Sequence, residues 1–248
     1  PSYNLKHAGL ALADMDNDGD NDLVVMGEKS GTGVLEILTN NGGTFDMGSL
    51  LSTGFTQGSL AVFDVNNDGR NDILACGLSN GEPTTVLYQY NRTIGMYDEV
   101  SSGLPDVELC NLVIFNLDGD GFADLFVMGN NNTEQSLVYK NRFSNLHYNQ
   151  SLISLDNGYA LTMNSGVYNT SIIYWGTDQD DDEEIYLYTI ILGSLVESST
   201  YSLIPYRSSL GSSANLNNDN TSDLIVAGIP PSSFDADLDL YLNNLTNL

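Results

Sequence analysis

Basic side chains are scarce in this chain of 248 residues: seven Lys and Arg stand against 33 Asp and Glu, so the formal net charge at pH 7 is -26. A chain this acidic, with no basic stripe, is repelled by phosphate backbones and anionic lipid, which excludes nucleic acid and the membrane surface as partners. The longest apolar run, Tyr186 to Val196, falls well short of the ~20 residues that span a membrane, so no direct membrane insertion is expected. Cations are the expected partners.

Histidine, cysteine and catalytic motifs are scarce too. His7 and His147 lie in no recurring motif, and the chain has no nucleophile elbow, zinc-protease helix or phosphate loop, so we expect no enzymatic activity. Cys76 and Cys110 are consistent either with a disulfide or with two buried free thiols. The chain begins at Pro1 without an apolar leader, as it would after removal of a signal peptide or in a segment of a longer protein.

What the chain does have is an apolar content of 41%, enough for a core, and an internal repeat. In each copy an apolar strand enters a nine-residue loop of Asp, Asn and Gly, and a second apolar strand leaves it toward Gly. The loops span 14–22, 64–72, 116–124 and 215–223, with a degenerate copy at 163–171, and their starts are 50, 52, 47 and 52 residues apart. Using the acidic run Asp178 to Glu184 as the fourth loop would give spacings of 60 and 39, so we assign that run to a connection after the next strand.

Each copy predicts four short antiparallel strands, the pattern of a β-propeller blade. The second strands are predicted at Leu23–Met26, Ile73–Cys76, Leu125–Met128, Ile172–Trp175 and Leu224–Ala227, and the third at Val34–Leu38, Thr85–Tyr90, Ser136–Tyr139, Ile185–Thr189 and Leu238–Leu242. We therefore expect an all-β fold in which residues 1–248 form a single propeller domain of five repeats. The repeats form either a closed five-bladed ring, with Pro1 to Leu5 completing the last blade, or part of a seven-bladed one.

The repeated residues resemble the FG-GAP or VCBS repeat, in which Asp-x-Asp-x-Asp-Gly-x-x-Asp-Leu lies between a small or apolar strand and a short apolar strand that ends in Gly. The resemblance covers nearly the whole chain. It implies a calcium-binding propeller similar to the N-terminal domain of integrin alpha chains, as found in many secreted and cell-surface proteins. It implies less about function, because this scaffold serves adhesion, sugar binding and purely architectural roles.

The loop spacing also predicts calcium binding on chemical grounds. Ca²⁺ takes six to eight oxygens at about 2.3 to 2.6 Å, which a loop supplies by turning alternate side chains inward. Positions one, three, five and nine would supply side chains and position seven a backbone carbonyl. In that order along each loop, the predicted ligands are Asp14, Asp16, Asp18, Asp20 and Asp22; Asp64, Asn66, Asp68, Arg70 and Asp72; Asn116, Asp118, Asp120, Phe122 and Asp124; and Asn215, Asn217, Asp219, Thr221 and Asp223.

An EF-hand is excluded because position 12 holds strand residues rather than Glu: Val25, Ala75, Val127 and Val226. The number of side-chain carboxylates falls from four in loop one to three, three and two, so loop one should bind calcium most tightly and loop five most weakly. The fourth loop should bind nothing, since it has Met163, Ser165, Val167 and Ser171 at the ligand positions. We expect about four ions with a structural role, because they neutralise carboxylates whose repulsion would open the turns.

Three minor features complete the sequence. Glycosylation sequons begin at Asn91, Asn131, Asn149, Asn169 and Asn244, and a sixth, at Asn220, lies inside a metal loop. Trp175 is expected in the core. The run Asp178 to Glu184 is expected to be a solvated connection, with a weak cation site or a contact for a basic partner as the alternative.

These features predict a non-enzymatic, calcium-stabilised propeller of a secreted or cell-surface protein. It would act in adhesion or recognition and bind a protein or glycan ligand on a propeller face. One alternative is an architectural subunit of an extracellular filament or coat, self-associating when its incomplete last blade accepts a strand from a neighbour. Another is a carbohydrate-binding module or accessory domain of a polysaccharide-active enzyme.

Overall fold

A computed structural model describes residues 4–46, 49–53, 55–142, 145–164, 170–178, 180, 182–197, 207–216, 221–229 and 237–241. All regular structure in these residues is β, which confirms the predicted fold class. The described segments contain no helix that could cross a membrane.

The strands follow one another at regular intervals. They are β1 Lys6–Ala13, β2 Asp22–Lys29, β3 Thr32–Asn40, β4 Phe45–Asp46, β5 Leu50–Thr53, β6 Phe55–Phe63, β7 Asp72–Ser79, β8 Glu82–Asn91, β9 Met96–Val100, β10 Glu108–Phe115, β11 Asp124–Asn130, β12 Glu134–Arg142, β13 Asn145–Ser151, β14 Asp156–Asn164, β15 Thr170–Thr177, β16 Glu183–Ile191, β17 Ser194–Glu197, β18 Arg207–Ala214, β19 Asp223–Ile229 and β20 Asp237–Tyr241.

These strands form five antiparallel sheets, which we call blades one to five. Blade one has the order β1-β2-β3. Its outer edge is formed by β4 and β5, which both pair with β3. Blades two, three and four run β6-β7-β8-β9, β10-β11-β12-β13 and β14-β15-β16-β17. Blade five has three described strands, β18-β19-β20. Residues 1–3 lie outside the described residues and Asn4 and Leu5 are not in a strand, so completion of the last blade by the first residues stays a prediction.

The core lies in layers between neighbouring blades. The second strand of a blade contributes to two layers because its side chains alternate. In β7, Ile73 and Ala75 pack into the layer with blade one, whereas Leu74 and Cys76 pack into the layer with blade three. This double burial explains why the second strands read as continuous apolar runs. Trp175 is 1% exposed in the layer between blades four and five, as predicted.

A β-bulge recurs in the first strand of every blade and has no obvious sequence signal. The register shifts between Lys6 and Gly9 in β1, and the same shift occurs at the equivalent place in β6, β10, β14 and β18. At the bulge of β6 the backbones approach so closely that a Cβ on Gly58 would lie 1.9 Å from the carbonyl oxygen of Cys76. Only glycine fits there.

Blade four departs from the predicted register by one residue. Ser171 pairs with Met163, whereas its counterpart Asp22 pairs with Ala13, the residue before the loop. Met163 is therefore a buried strand residue rather than the first residue of the fourth loop, and the connection is one residue shorter than in blade one. Ser165 and Val167 lie outside the described residues.

A disulfide joins blades two and three, which decides between the two states that the sequence left open. Cys76 on β7 bonds to Cys110 on β10, with their Cα atoms 6.2 Å apart and 34 residues of separation in sequence. The bond thus links the second strand of one blade to the first strand of the next.

We predict that Cys76→Ala together with Cys110→Ala lowers the free energy of unfolding by roughly 3 to 4 kcal/mol, because the unfolded chain regains the freedom of a loop of this length. Urea unfolding of the variant and the oxidised wild type measures the difference. The reduced wild type is the control and should resemble the variant. Equal midpoints for all three samples would contradict the prediction.

Candidate metal sites

The acidic loops connect the first and second strands of their blades, and the first two loops contact each other. The Asn17 side chain donates a hydrogen bond to the carbonyl of Gly69 at 3.0 Å, and Asn71 donates to the carbonyl of Asp14 at 2.9 Å. Each loop therefore helps to position its neighbour, and an ion in one would stabilise a contact between two blades.

Loop one is folded around the carboxylate of Asp14. Its Oδ1 accepts the backbone N–H groups of Asn17 at 2.6 Å and Asp18 at 3.2 Å, and its Oδ2 accepts that of Gly19 at 3.0 Å. Asp16 and Asp18 each accept the N–H two residues further along. Asn17 and Gly19 take left-handed conformations, with φ of 65° and 99°.

Three of the predicted ligands come together in this loop. One carboxylate oxygen from each of Asp14, Asp16 and Asp18 lies within 4.8 Å of the others. Oxygens bound to one Ca²⁺ at about 2.3 to 2.6 Å can be separated by at most about 5 Å, so the cluster fits such an ion. Calcium bound there would offset two of the three negative charges and hold the turn closed.

Loops two and three repeat this geometry. Asp64 accepts the N–H groups of Asp68 at 3.0 Å and Gly69 at 2.6 Å, as Asp14 does in loop one. In loop three Asn116 accepts the N–H of Gly119 at 2.7 Å. The fourth and sixth positions have positive φ in all three loops, which explains why they are Asn or Gly: Asn17, Gly19, Asn67, Gly69, Gly119 and Gly121.

The aspartate at position nine has a role that the sequence analysis missed. Asp124 is fully buried, and its two oxygens accept the N–H of Leu117 at 2.6 Å and of Asn141 at 2.8 Å. It therefore joins the start of the loop to the third strand of the blade. Asp22 and Asp72 make the same two bonds, and Asp223 accepts the N–H of Leu216 at 2.8 Å. The signal available in the sequence was an Asp that recurs at position nine, directly before the apolar second strand.

The remaining predicted ligands stay predictions. The Arg70 side chain lies over the ring of Tyr90, 5.0 Å from its centre. The predicted calcium ligand of Arg70 is its backbone carbonyl. Asn66 accepts the N–H of Asp68, and Asp120 accepts that of Phe122. In loop five Asn215 and Thr221 are described, but Asn217, Asp219 and Asn220 lie outside the described residues.

Basic side chains distinguish loops two and three from loop one. Arg92 lies 3.6 Å from Asp68 Oδ1 and also donates to the Asp68 carbonyl, and Lys140 lies 3.6 Å from Asp118 Oδ2. Within the described part of the chain, no basic side chain forms an ion pair with the three clustered carboxylates of loop one. Calcium must compete with a tethered cation in loops two and three, which favours loop one as the tightest site.

Burial raises the pKa of two of the position-nine carboxyls. The pKa of Asp72 rises to about 6 because of desolvation, although the N–H groups of Tyr90 and Val65 partly offset the shift. Desolvation likewise raises the pKa of Asp124. At loop one, burial and then the charges of Asp22 and Asp18 raise the pKa of Asp16.

The shift at Asp72 predicts a pH dependence in the absence of metal. Its folded pKa of about 6 exceeds the reference value of 3.8, so the folded state binds the proton more tightly. The stabilisation from this group is complete below the lower value and is lost as pH rises through about 6. The free energy of unfolding of the wild type minus that of Asp72→Asn, measured by urea unfolding in metal-free buffer, should therefore decrease as the pH is raised from 3.8 to about 6. A difference that rises with pH would contradict the assignment.

The other sequence candidates lie where the repeats predict. Asp178 follows β15, and its carboxylate accepts the N–H groups of Asp180 and Asp182 before β16 begins at Glu183, so the described part of the acidic run connects β15 to β16 and includes the first residues of β16. Asn91 is the last residue of β8, Asn131 begins the turn after β11, and Asn149 lies in β13. Asn169 and Asn244 lie outside the described residues. Glycosylation at any of them stays a prediction.

Comparison with known protein families gives a match to part of the chain. The model described as FG-GAP-like repeat matches residues 10–75, a segment that begins in β1, includes loops one and two and ends in β7. A search of curated proteins finds no significant match.

Proposed function

We propose that this chain, whose residues 10–75 match the FG-GAP-like repeat model, is a calcium-stabilised, non-enzymatic recognition module of an extracellular protein. The observation that carries the proposal is the cluster of Asp14, Asp16 and Asp18, whose oxygens converge at a spacing that suits Ca²⁺. Calcium sites of extracellular modules bind with dissociation constants of about 10⁻⁴ to 10⁻³ M, a range in which a cluster of three partly exposed carboxylates would suffice.

Three further points support the proposal. The Cys76–Cys110 disulfide persists most readily in an oxidising compartment. The net charge of -26 keeps the protein soluble and directs it toward cations rather than polyanions. The repeat family is typical of extracellular proteins, and its domains are typically not catalytic.

Calcium would act here by holding the loop edge of the blades in one arrangement. Loop one is bonded to loop two through Asn17 and Asn71, and the Asn141 side chain donates to the carbonyl of Val65, which joins blade three to loop two at 2.8 Å. An ordered edge built from successive blades offers a surface on which a protein or glycan ligand can bind. Recognition on such a face is therefore expected to require calcium.

The test is binding of the purified protein to a panel of immobilised extracellular proteins and glycans, with calcium and with chelator. We expect ligands that are retained in calcium and lost when Asp14, Asp16 and Asp18 are all changed to Asn. The matched control changes Asp178, Asp180 and Asp182 to Asn, which alters the net charge equally but leaves loop one intact. Ligand binding that persists in chelator, or a panel that stays blank, would overturn the proposal.

A further inference from the structure

A cavity of about 320 Å³ lies between blades one and two, beside loop one. On one side its wall comes from loop one and from β2, β3 and β5, and on the other side from loop two, β8 and β9. This volume is within the range of sites that hold a small molecule or a few side chains of a larger ligand. The residues of the wall therefore indicate which chemistry the cavity would accept.

Arg70 gives the wall a positive charge that no acid of the described residues pairs with. Its guanidinium lies over the ring of Tyr90, 5.0 Å from the centre, and its Nη1 is buried without a hydrogen-bond partner among those residues. Four other basic side chains in the described part of the chain form ion pairs with carboxylates, whereas Arg70 forms none. A guanidinium without an acceptor favours a ligand that brings a carboxylate, whose two oxygens match its planar N–H donors.

The two carboxylates in the same wall are already engaged. Asp22 is fully buried, and its oxygens accept the N–H groups of Met15 and Asn40, each at 2.8 Å. Asp16 accepts a backbone N–H of its own loop at 3.1 Å and belongs to the cluster that fits calcium. Calcium in loop one would offset the charge of Asp16, which otherwise repels an anion. Arg70 is then the charged group of this wall with which a ligand can pair.

Two tyrosines support the Arg70 side chain. The rings of Tyr90 and Tyr97 meet edge to face with their centres 5.3 Å apart, and the Tyr97 hydroxyl donates to the carbonyl of Asn71 at 3.1 Å. The ring under the guanidinium is thus held by its neighbour. A charged group that is positioned before binding loses less freedom when a ligand arrives, which favours affinity.

The cavity is apolar where it meets solvent. Leu50 on β5 is 53% exposed and Met96 on β9 is 64% exposed, so each blade contributes one apolar side chain to the opening. Single exposed apolar side chains are ordinary on protein surfaces, but these two belong to the wall of one cavity. A ligand with an apolar body would cover both of them.

We propose that this cavity binds a carboxylate attached to a bulky apolar group. Arg70 would pair with the carboxylate, and Leu50 and Met96 would contact the apolar group. This chemistry occurs where an acidic residue follows an apolar one in a protein ligand, and also in a free aromatic acid. The inference deepens the proposed recognition role, on which it rests, by naming the chemistry of a ligand.

The first experiment compares two acids with their uncharged amides in a buffer that contains calcium. The pairs are phenylpropionate with phenylpropionamide, and leucyl-glutamate with leucyl-glutamine, each dipeptide blocked at both ends. Titrations followed by NMR should give dissociation constants of about 10 mM or tighter for the acids. Each amide should bind about tenfold more weakly, because it lacks the charge that pairs with Arg70. The proposal is wrong if neither acid binds, or if acids and amides bind equally well.

Variants locate the effect. Arg70→Gln should weaken binding of the acids by about tenfold or more and leave the amides almost unchanged. Arg70→Lys, which keeps the charge without the planar fork, should retain part of the difference. Arg142→Gln is the matched control, because it removes the same charge at the exposed last residue of β12, in blade three. Acid binding that survives in a folded Arg70→Gln protein, as judged by thermal melting, would overturn the assignment.

Stability measured in calcium and in chelator on the same samples keeps this inference apart from the calcium role. A protein that calcium stabilises, but that does not distinguish acid from amide, would overturn the cavity assignment alone. A protein that calcium does not stabilise, but that binds the acids through Arg70, would overturn the calcium role alone. Tighter binding of the dipeptide acid points to a protein ligand, and tighter binding of phenylpropionate points to a free acid.

Discussion

Removing calcium is expected to lower the free energy of unfolding by about 4 kcal/mol for each tight site, when free calcium exceeds the dissociation constant about a thousandfold. Loop one should supply most of this effect, because its carboxylates converge without an ion pair to a basic side chain in the described residues. Without the ion, repulsion between Asp14, Asp16 and Asp18 favours opening of the turn. Urea unfolding with calcium and with chelator measures the loss.

A variant locates the effect in loop one. When Asp14, Asp16 and Asp18 are all changed to Asn, the difference between calcium and chelator should shrink to what loops two, three and five contribute. In chelator the repulsion is gone, but Asp14→Asn also replaces one of the two oxygens that accept the N–H groups of Asn17, Asp18 and Gly19, so the stability of the variant in chelator serves as the baseline for its own calcium response. An unchanged calcium response in this variant would show that the ion binds elsewhere, and no response in wild type would contradict the calcium hypothesis itself.

Replacing a position-nine aspartate is expected to destabilise the protein with or without calcium. Asp124→Ala leaves the buried N–H groups of Leu117 and Asn141 without acceptors, and each such loss costs about 1 to 3 kcal/mol. We therefore expect a loss of roughly 2 to 6 kcal/mol in chelator. Urea unfolding with a fixed denaturant slope measures it.

The control lies in the same loop. Asp120 is exposed, and its one hydrogen bond among the described residues is from the N–H of Phe122, so Asp120→Ala should cost less than about 1 kcal/mol in chelator. In calcium the cost of Asp120→Ala should grow, since a predicted ligand is lost. If the two variants were equally stable in chelator, the structural role of Asp124 would be wrong and its carboxylate would serve the metal alone.

The loop motif was readable from sequence because the conformation of each loop is local. Asp14 bonds to amides three to five residues away, so the acidic side chains, the Asn at position four and the Gly at position six together specify the turn. The strands that flank the loops were readable for a similar reason, since burial between two blades demands an uninterrupted apolar run. Blade four shows the limit: with no acidic residues to align, the predicted register of Met163 was wrong by one residue.

The sequence by itself determined the repeat, the all-β fold and the position of each acidic loop, because these depend on short-range periodicity. Only the tertiary structure decided which groups meet across blades. It paired Cys76 with Cys110, since the second strand of one blade packs on the first strand of the next. It also showed that the position-nine aspartate binds a third-strand amide 17 or 18 residues away. It placed Asp16 and Arg70 in the wall of one cavity, because the loops of consecutive blades lie side by side.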